Sequence, residues 1–117
     1  MNQILNILIG VLVVYQLYNF YLVFKAPAII PSEAKKMKKD VFFLDVRTVN
    51  EYSRGHIPGS KNIPLHQLGK RLAEIPRDKT IIVVCQSGTR SAKGTVKLLK
   101  QGFKNVFSLK GGMVAWK

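Results

Sequence analysis

Residues 80–94, TIIVVCQSGTRSAKG, put an apolar run directly before the only cysteine of a 117-residue chain. Ile81, Ile82, Val83 and Val84 are all β-branched, and an unbroken run of this kind predicts a strand buried on both faces. After Cys85 come Gly88 and the hydroxyl side chains of Ser87, Thr89 and Ser91, and then helical spacing. Ser91 to Gln101 predicts a helix that buries Val96, Leu98 and Leu99 and closes at Gly102. Strand, loop and helix in this order form the repeating unit of a parallel sheet, whose ligands sit beyond the carboxyl ends of the strands. The thiol is predicted at such an end.

The alternation continues outward on both sides. Upstream, VFFLDV (Val41 to Val46) predicts a second buried strand, finishing at Asp45. Thr48 to Arg54 predicts a helical turn closed by Gly55, and Ser60 to Ile63 a small strand. Pro64 is expected to open a helix carrying Leu65, Leu68, Leu72 and Ile75 at helical spacing. Ser32 is expected to cap a short helix through Lys39. Downstream, Phe103 to Leu109 predicts another strand, and Gly111-Gly112 turns into a last helical piece ending near Trp116, a core aromatic. The fold class is α/β, with a parallel sheet flanked by helices.

Residues 4–24, ILNILIGVLVVYQLYNFYLVF, contain no charged side chain. As a helix they would match the roughly 30 Å hydrocarbon core of a bilayer. Tyr18, Phe20, Tyr21 and Phe24 followed by Lys25 have the aromatic-then-basic order of a headgroup interface. We therefore expect residues 1–25 to be a transmembrane anchor, 26–31 (APAIIP) a short linker and 32–117 the folded domain. Nothing basic precedes the span, whereas Lys25, Lys35, Lys36, Lys38 and Lys39 follow it, which predicts a single-pass protein of the cell membrane with its C-terminal domain in the cytoplasm. A cleavable signal fits less well, because the apolar run is too long and its start lacks a basic residue. Gln16 and Asn19, three apart, could serve a second helix or the interface.

The formal charge is +13, from 19 basic and 6 acidic residues. The basic residues are scattered outside the cluster at 35–39 and are not interleaved with stacking aromatics, which argues against nucleic-acid binding. One cysteine and two separated histidines form no metal-ligand set, so neither metal nor cofactor is expected.

At the start of a helix the first N–H groups lack intrahelical partners, and an anion is favoured there. The N–H groups from Gln86 to Ser91, the three hydroxyls and the fixed charge of Arg90 should together favour a thiolate at Cys85, making it a nucleophile. The plainer reading is a small buried hydrophobe at the end of a strand. Asp45 is expected to accept loop N–H bonds, and Arg47 and Glu51, four apart, to pair with each other.

FLDVRTVNEYSRGHIPGSKNIPL, followed by VVCQSGTRSAKGTVKLLKQGFKNVFSLKGGMVAW, closely resembles the single-domain rhodanese family of sulfurtransferases. The resemblance covers roughly residues 29–117 and rests on several separated motifs in order. It implies a rhodanese-like parallel sheet of about five strands, with Cys85 carrying a transferable sulfur as a persulfide on a loop of Gln86, Ser87, Gly88, Thr89, Arg90 and Ser91. Asp45, Arg47, Glu51 and His56 match the family as supporting residues, His56 through a structural hydrogen bond. Related phosphatases and arsenate reductases of this fold separate Cys and Arg by five residues, whereas Cys85 and Arg90 have four between them, a ring that suits sulfur. Gln86 stands where many members carry a basic residue, which makes a persulfide donor as good a candidate as thiosulfate. The implied partners are a small anionic sulfur donor and a thiol, cyanide or protein acceptor. With no second cysteine, sulfur must leave to another molecule. The alternative is a non-catalytic, membrane-tethered module of the same fold that recruits a partner.

Overall fold

The computed structural model describes residues 2–37 and 39–117. Lys38, one of the basic residues expected beside the span, lies outside them. Five strands form one sheet: β1 (Ala28–Ile29), β2 (Val41–Asp45), β3 (Lys61–Asn62), β4 (Thr80–Val84) and β5 (Val106–Leu109). The order is β1-β5-β4-β2-β3 and every pairing is parallel. The crossovers carry α2 (Pro31–Lys36), α3 (Val49–Ser53) and α4 (Thr89–Lys100), while α1 (Asn2–Phe24) precedes the sheet and α5 (Gly112–Ala115) follows it.

β4 lies at the centre because its side chains suit burial on both sides. Ile81 and Val83 join one core with Leu44, Leu68, Leu98 and Val106, and Ile82 and Val84 join a second with Ala34, Ile57 and Leu109. The period of two in a strand produces this division, and full burial of each such side chain contributes about 1.5–3 kcal/mol. α4 can approach β4 closely because Gly94 faces Val83, whose Cγ1 would stand only 3.2 Å from an added Cβ.

Several local expectations change. α2 begins at Pro31 and ends at Lys36; Pro31, with φ preset for a first helical position, starts the helix ahead of Ser32. The helix expected after Pro64 is two 3₁₀ segments, Leu65–Lys70 and Leu72–Glu74, interrupted at Arg71, whose φ of −122° is not helical. Leu68 and Ile75 are nevertheless buried, so the apolar spacing serves the core without a continuous α-helix. In α4 the buried positions are Ser91, Gly94, Thr95 and Leu98, while Val96 turns toward α1. The segment expected to be a linker contributes β1, where Ser108 N–H donates to Pro27 O and Lys110 N–H to Ile29 O.

α1 is 23 residues long, with mean hydropathy 2.0 over its best window, and none of its residues is buried in the protein. It is long and apolar enough to cross a membrane. Asn19 does not wait for a second helix: its amide donates to Tyr15 O at 2.8 Å and its Oδ1 accepts from Lys100 Nζ at 3.2 Å.

Candidate functional site

β4 delivers Cys85 to the carboxyl edge of the sheet, and the chain then curls back before α4 begins. The curl needs Gly88, whose φ of +112° lies in a region closed to most side chains. It brings Gly88 N–H to 3.0 Å from Cys85 Sγ. The thiol is buried, at 1% exposure, and Sγ also lies 3.4 Å from Ser91 Oγ. Ser91 Oγ in turn donates to Gly88 O at 3.0 Å and meets Ser108 Oγ at 2.6 Å. With the Ser91 proton committed to Gly88 O, the Ser108 hydroxyl is the donor of that short bond, and the Cys85 S–H can point at the remaining Ser91 lone pair. When sulfur is ionised, a rotation of the Ser91 hydroxyl turns the same contact into a donor toward it.

The expected ring of donors is only partly directed at the sulfur. Among the described residues, Gly88 supplies the one backbone N–H bond to Sγ. The N–H groups of Gln86, Ser87, Thr89, Arg90 and Ser91 meet no protein acceptor among the described residues, so they remain able to bind an anion held in the loop. Ser87 and Thr89 are exposed, and their hydroxyls do not approach Sγ.

The loop is braced from the β2 side. Asp45 is fully buried and accepts from its neighbour Arg47: N–H at 3.0 Å, Nε at 3.1 Å and Nη2 at 2.9 Å. Arg47 also donates to Gly55 O at 2.7 Å and to Gln86 Oε1 at 3.3 Å. Thus the expected Arg47–Glu51 pair does not form. Arg47 lies ahead of α3, outside the helical frame that an i,i+4 contact requires. Glu51 instead completes a capping box with Thr48 and holds Arg90 through two bonds of 2.7 and 2.9 Å. Arg90, with Thr48 N–H, holds the Glu51 carboxyl down at about 2, and the bonds from Glu51 raise the pKa of Arg90. His56 stacks on Tyr52 at 3.7 Å, and its Nδ1 lies 2.8 Å from Tyr52 O.

Beside Gln86 opens a cleft of about 530 Å³ lined by Arg47, Glu51, Arg54, Gly55, His56, Gln86 and Met113. Arg54 is exposed and forms no ion pair among the described residues. Sequence reasoning missed the other wall. Met113 N–H donates to Cys85 O at 2.8 Å and Val114 N–H to Gln86 O at 3.1 Å, tying α5 to the cysteine loop. Gly112 permits this approach, since a Cβ there would collide with Cys85 O. The Gly111-Gly112 pair was the available signal, and read locally it marks only a turn. Ser108 left no signal, as one polar residue in an apolar strand.

The described residues contain no cluster of three or more His, Cys, Asp or Glu side chains able to hold a metal ion.

The chain is 38% identical over 78 residues to a sulfurtransferase of Allochromatium vinosum, covering 67% of this chain and 73% of that protein. It is 33% identical over 116 residues to Bacillus subtilis YqhL, described as an uncharacterized protein, covering 98% of this chain and 92% of that one. The structure of a rhodanese-related protein from Thermoplasma volcanium matches it with a TM-score of 0.70 at 33% identity, covering 77% of this chain and 89% of that chain. The family model for the rhodanese-like domain matches residues 31–117. With the family model matched over most of the chain, a sulfurtransferase among its relatives, a five-stranded parallel sheet and a cysteine loop at its carboxyl edge, the chain belongs to the rhodanese-like domain family.

Proposed function

We propose that the protein is a rhodanese-type sulfurtransferase that carries sulfane sulfur on Cys85, with residues 32–117 as the active domain and residues 1–25 as its membrane anchor. The observation that carries this reading is the loop itself. Cys85 Sγ accepts an N–H bond from Gly88, and among the described residues five further N–H groups of the same loop have no protein acceptor. Such preorganised donors stabilise the negative charge on the outer sulfur of a persulfide.

In the first half-reaction the Cys85 thiolate attacks the terminal sulfur of the donor. A Cys85–sulfur bond forms, the donor's S–S bond breaks, and its electron pair leaves with sulfite from thiosulfate or with a thiolate from a persulfide. In the second, an acceptor thiolate or cyanide attacks the outer sulfur and returns the electron pair to Cys85. Ser91 holds the sulfur from below, with Ser108 fixing its hydroxyl. The cleft beside Gln86 is the approach for the donor, and Arg54 supplies an exposed cation there. Arg47 and Glu51 act as positioning residues, the first through Gln86 and the second through Arg90.

The test is intact mass of the full-length protein and of Cys85→Ser after brief exposure to thiosulfate or a cysteine persulfide, with and without cyanide. One sulfur gained by the wild type alone and lost again to cyanide is the expected result. No gain with either donor would replace this reading with that of a partner-recruiting module. For the anchor, the span and the lysines after it support a single-pass protein with a cytoplasmic domain. Protease protection in sealed inverted vesicles checks it: the domain should be digested from outside.

A further inference from the structure

Between α1 and α4 runs a groove of about 770 Å³. Its apolar walls come from Leu17, Phe20 and Val23 of α1 and from Val96 of α4. Along one side stand Lys93, Lys97 and Lys100, all exposed. α4 itself contains no acidic residue. Four of the chain's six acidic residues are engaged elsewhere: Glu33 by Lys36, Asp45 by Arg47, Glu51 by Arg90, and Glu74 by Arg71 and Lys61. None of the three α4 lysines takes part in an ion pair among the described residues.

We propose that this groove holds an anionic phospholipid, its phosphate on the α4 lysines and the upper part of its acyl chains against Leu17, Phe20, Val23 and Val96. The contact would orient the sheet on the membrane and hold the cysteine loop, which leads into α4, at a set height above it. The proposal rests on α1 spanning a bilayer, as read above. If it does, Gln16 to Val23 is the last stretch of about 10 Å of the span before the interface at Lys25, so the upper acyl chain lies against it and the long α4 lysines reach outward to the headgroup. At that depth an apolar wall faces lipid and a row of lysines faces phosphate, so the groove matches both halves of one molecule. Lys100 is also tied to the span through Asn19 Oδ1 at 3.2 Å, which keeps the cationic row beside the groove. An anionic headgroup is favoured over a zwitterionic one because this face has no carboxylate to answer its charge.

Full-length protein reconstituted in nanodiscs of phosphatidylcholine, with or without phosphatidylglycerol, tests the idea. After release into mild detergent, native mass spectrometry counts the lipid retained. Wild type should keep phosphatidylglycerol in preference to phosphatidylcholine. The Lys93→Gln/Lys97→Gln/Lys100→Gln variant should lose that retention by at least about tenfold, since each lysine near an anionic surface contributes a factor of about five. A control with the same charge change, Lys70→Gln/Lys110→Gln/Lys117→Gln, should retain lipid like wild type. Equal retention of the two lipids, or equal loss in both variants, overturns the proposal. A lipid-free dimer would overturn it in favour of a second copy in the groove. Alkaline carbonate extraction of membranes separates the two levels: protein released by carbonate refutes the span and the groove together, whereas protein that stays without lipid preference refutes the groove alone.

Discussion

Two guanidinium–carboxylate pairs brace the cysteine loop, and they sit in opposite surroundings. In Asp45–Arg47 the side chains are 1% and 5% exposed, Asp45 accepts every one of its side-chain bonds from Arg47, and Arg47 bonds Gly55 O and Gln86 Oε1 as well. In Glu51–Arg90 they are 30% and 36% exposed, at the mouth of the site. Burial sets the difference in consequence. A buried charge that loses its partner has no water to replace it, while an exposed pair trades one solvated state for another. The inner pair should therefore govern whether the site exists, and the outer pair how well it works.

Four experiments can break or sharpen this contrast. Removing the inner cation with Arg47→Ala should cost about 3–5 kcal/mol of stability, read from the urea midpoint, because Asp45 is left buried and unpaired. Replacing both partners by apolar side chains, as in Asp45→Leu/Arg47→Met, should cost less than the single change. If the two variants are equally stable, the desolvation argument fails. The outer pair predicts the reverse profile: Arg90→Ala should lower kcat/KM for thiosulfate about tenfold, the usual scale for one charge-assisted bond, while the midpoint moves by less than about 1 kcal/mol. A large stability loss would show that Arg90 belongs with the inner pair.

Ser108→Ala tests the hydroxyl beneath the thiol. It should cost about 1 kcal/mol and slow sulfur loading severalfold, and Ser108→Thr should recover part of the loading rate. If loading is unchanged while stability falls, Ser108 only packs β5. The smallest effect concerns pH. Arg90, together with Thr48 N–H, depresses the Glu51 carboxyl to about 2, so its contribution is complete above the ordinary carboxylate value near 4.5 and is lost as pH falls through about 2. Wild type should exceed Glu51→Gln by less than about 1 kcal/mol at neutral pH, and the gap should close across that acid window. A gap that persists below it would assign the stabilisation to something other than the charge.

The sequence carried the site's local parts and lost its long-range ones for identifiable reasons. β4 and its cysteine were legible because four consecutive β-branched residues leave few alternatives, and Gly88 marks where the curl must come. β1 was not: Ala28–Ile29 lies among Pro27 and Pro31 and becomes a strand only because the open edge of β5 bonds it. Val96 looked like core by composition, but the inward stripe of α4 runs through Gly94, Thr95 and Leu98 and leaves Val96 facing α1. Arg47 and Glu51 looked like a helical pair by spacing, and the helix starts too late to hold both.

The sequence alone determined the apolar span at residues 4–24, the α/β alternation and the placement of one cysteine between a strand and a glycine-containing loop. These follow from periodicity and backbone freedom, which act over a few residues. Only the tertiary structure decided which groups meet there. Glu51 reaches Arg90 and Arg47 reaches Gln86 across 39 residues of chain, and Ser108 stands beneath Ser91. Parallel pairing gathers the carboxyl ends of β2, β4 and β5 at one edge, and no local propensity encodes the neighbours that the pairing creates.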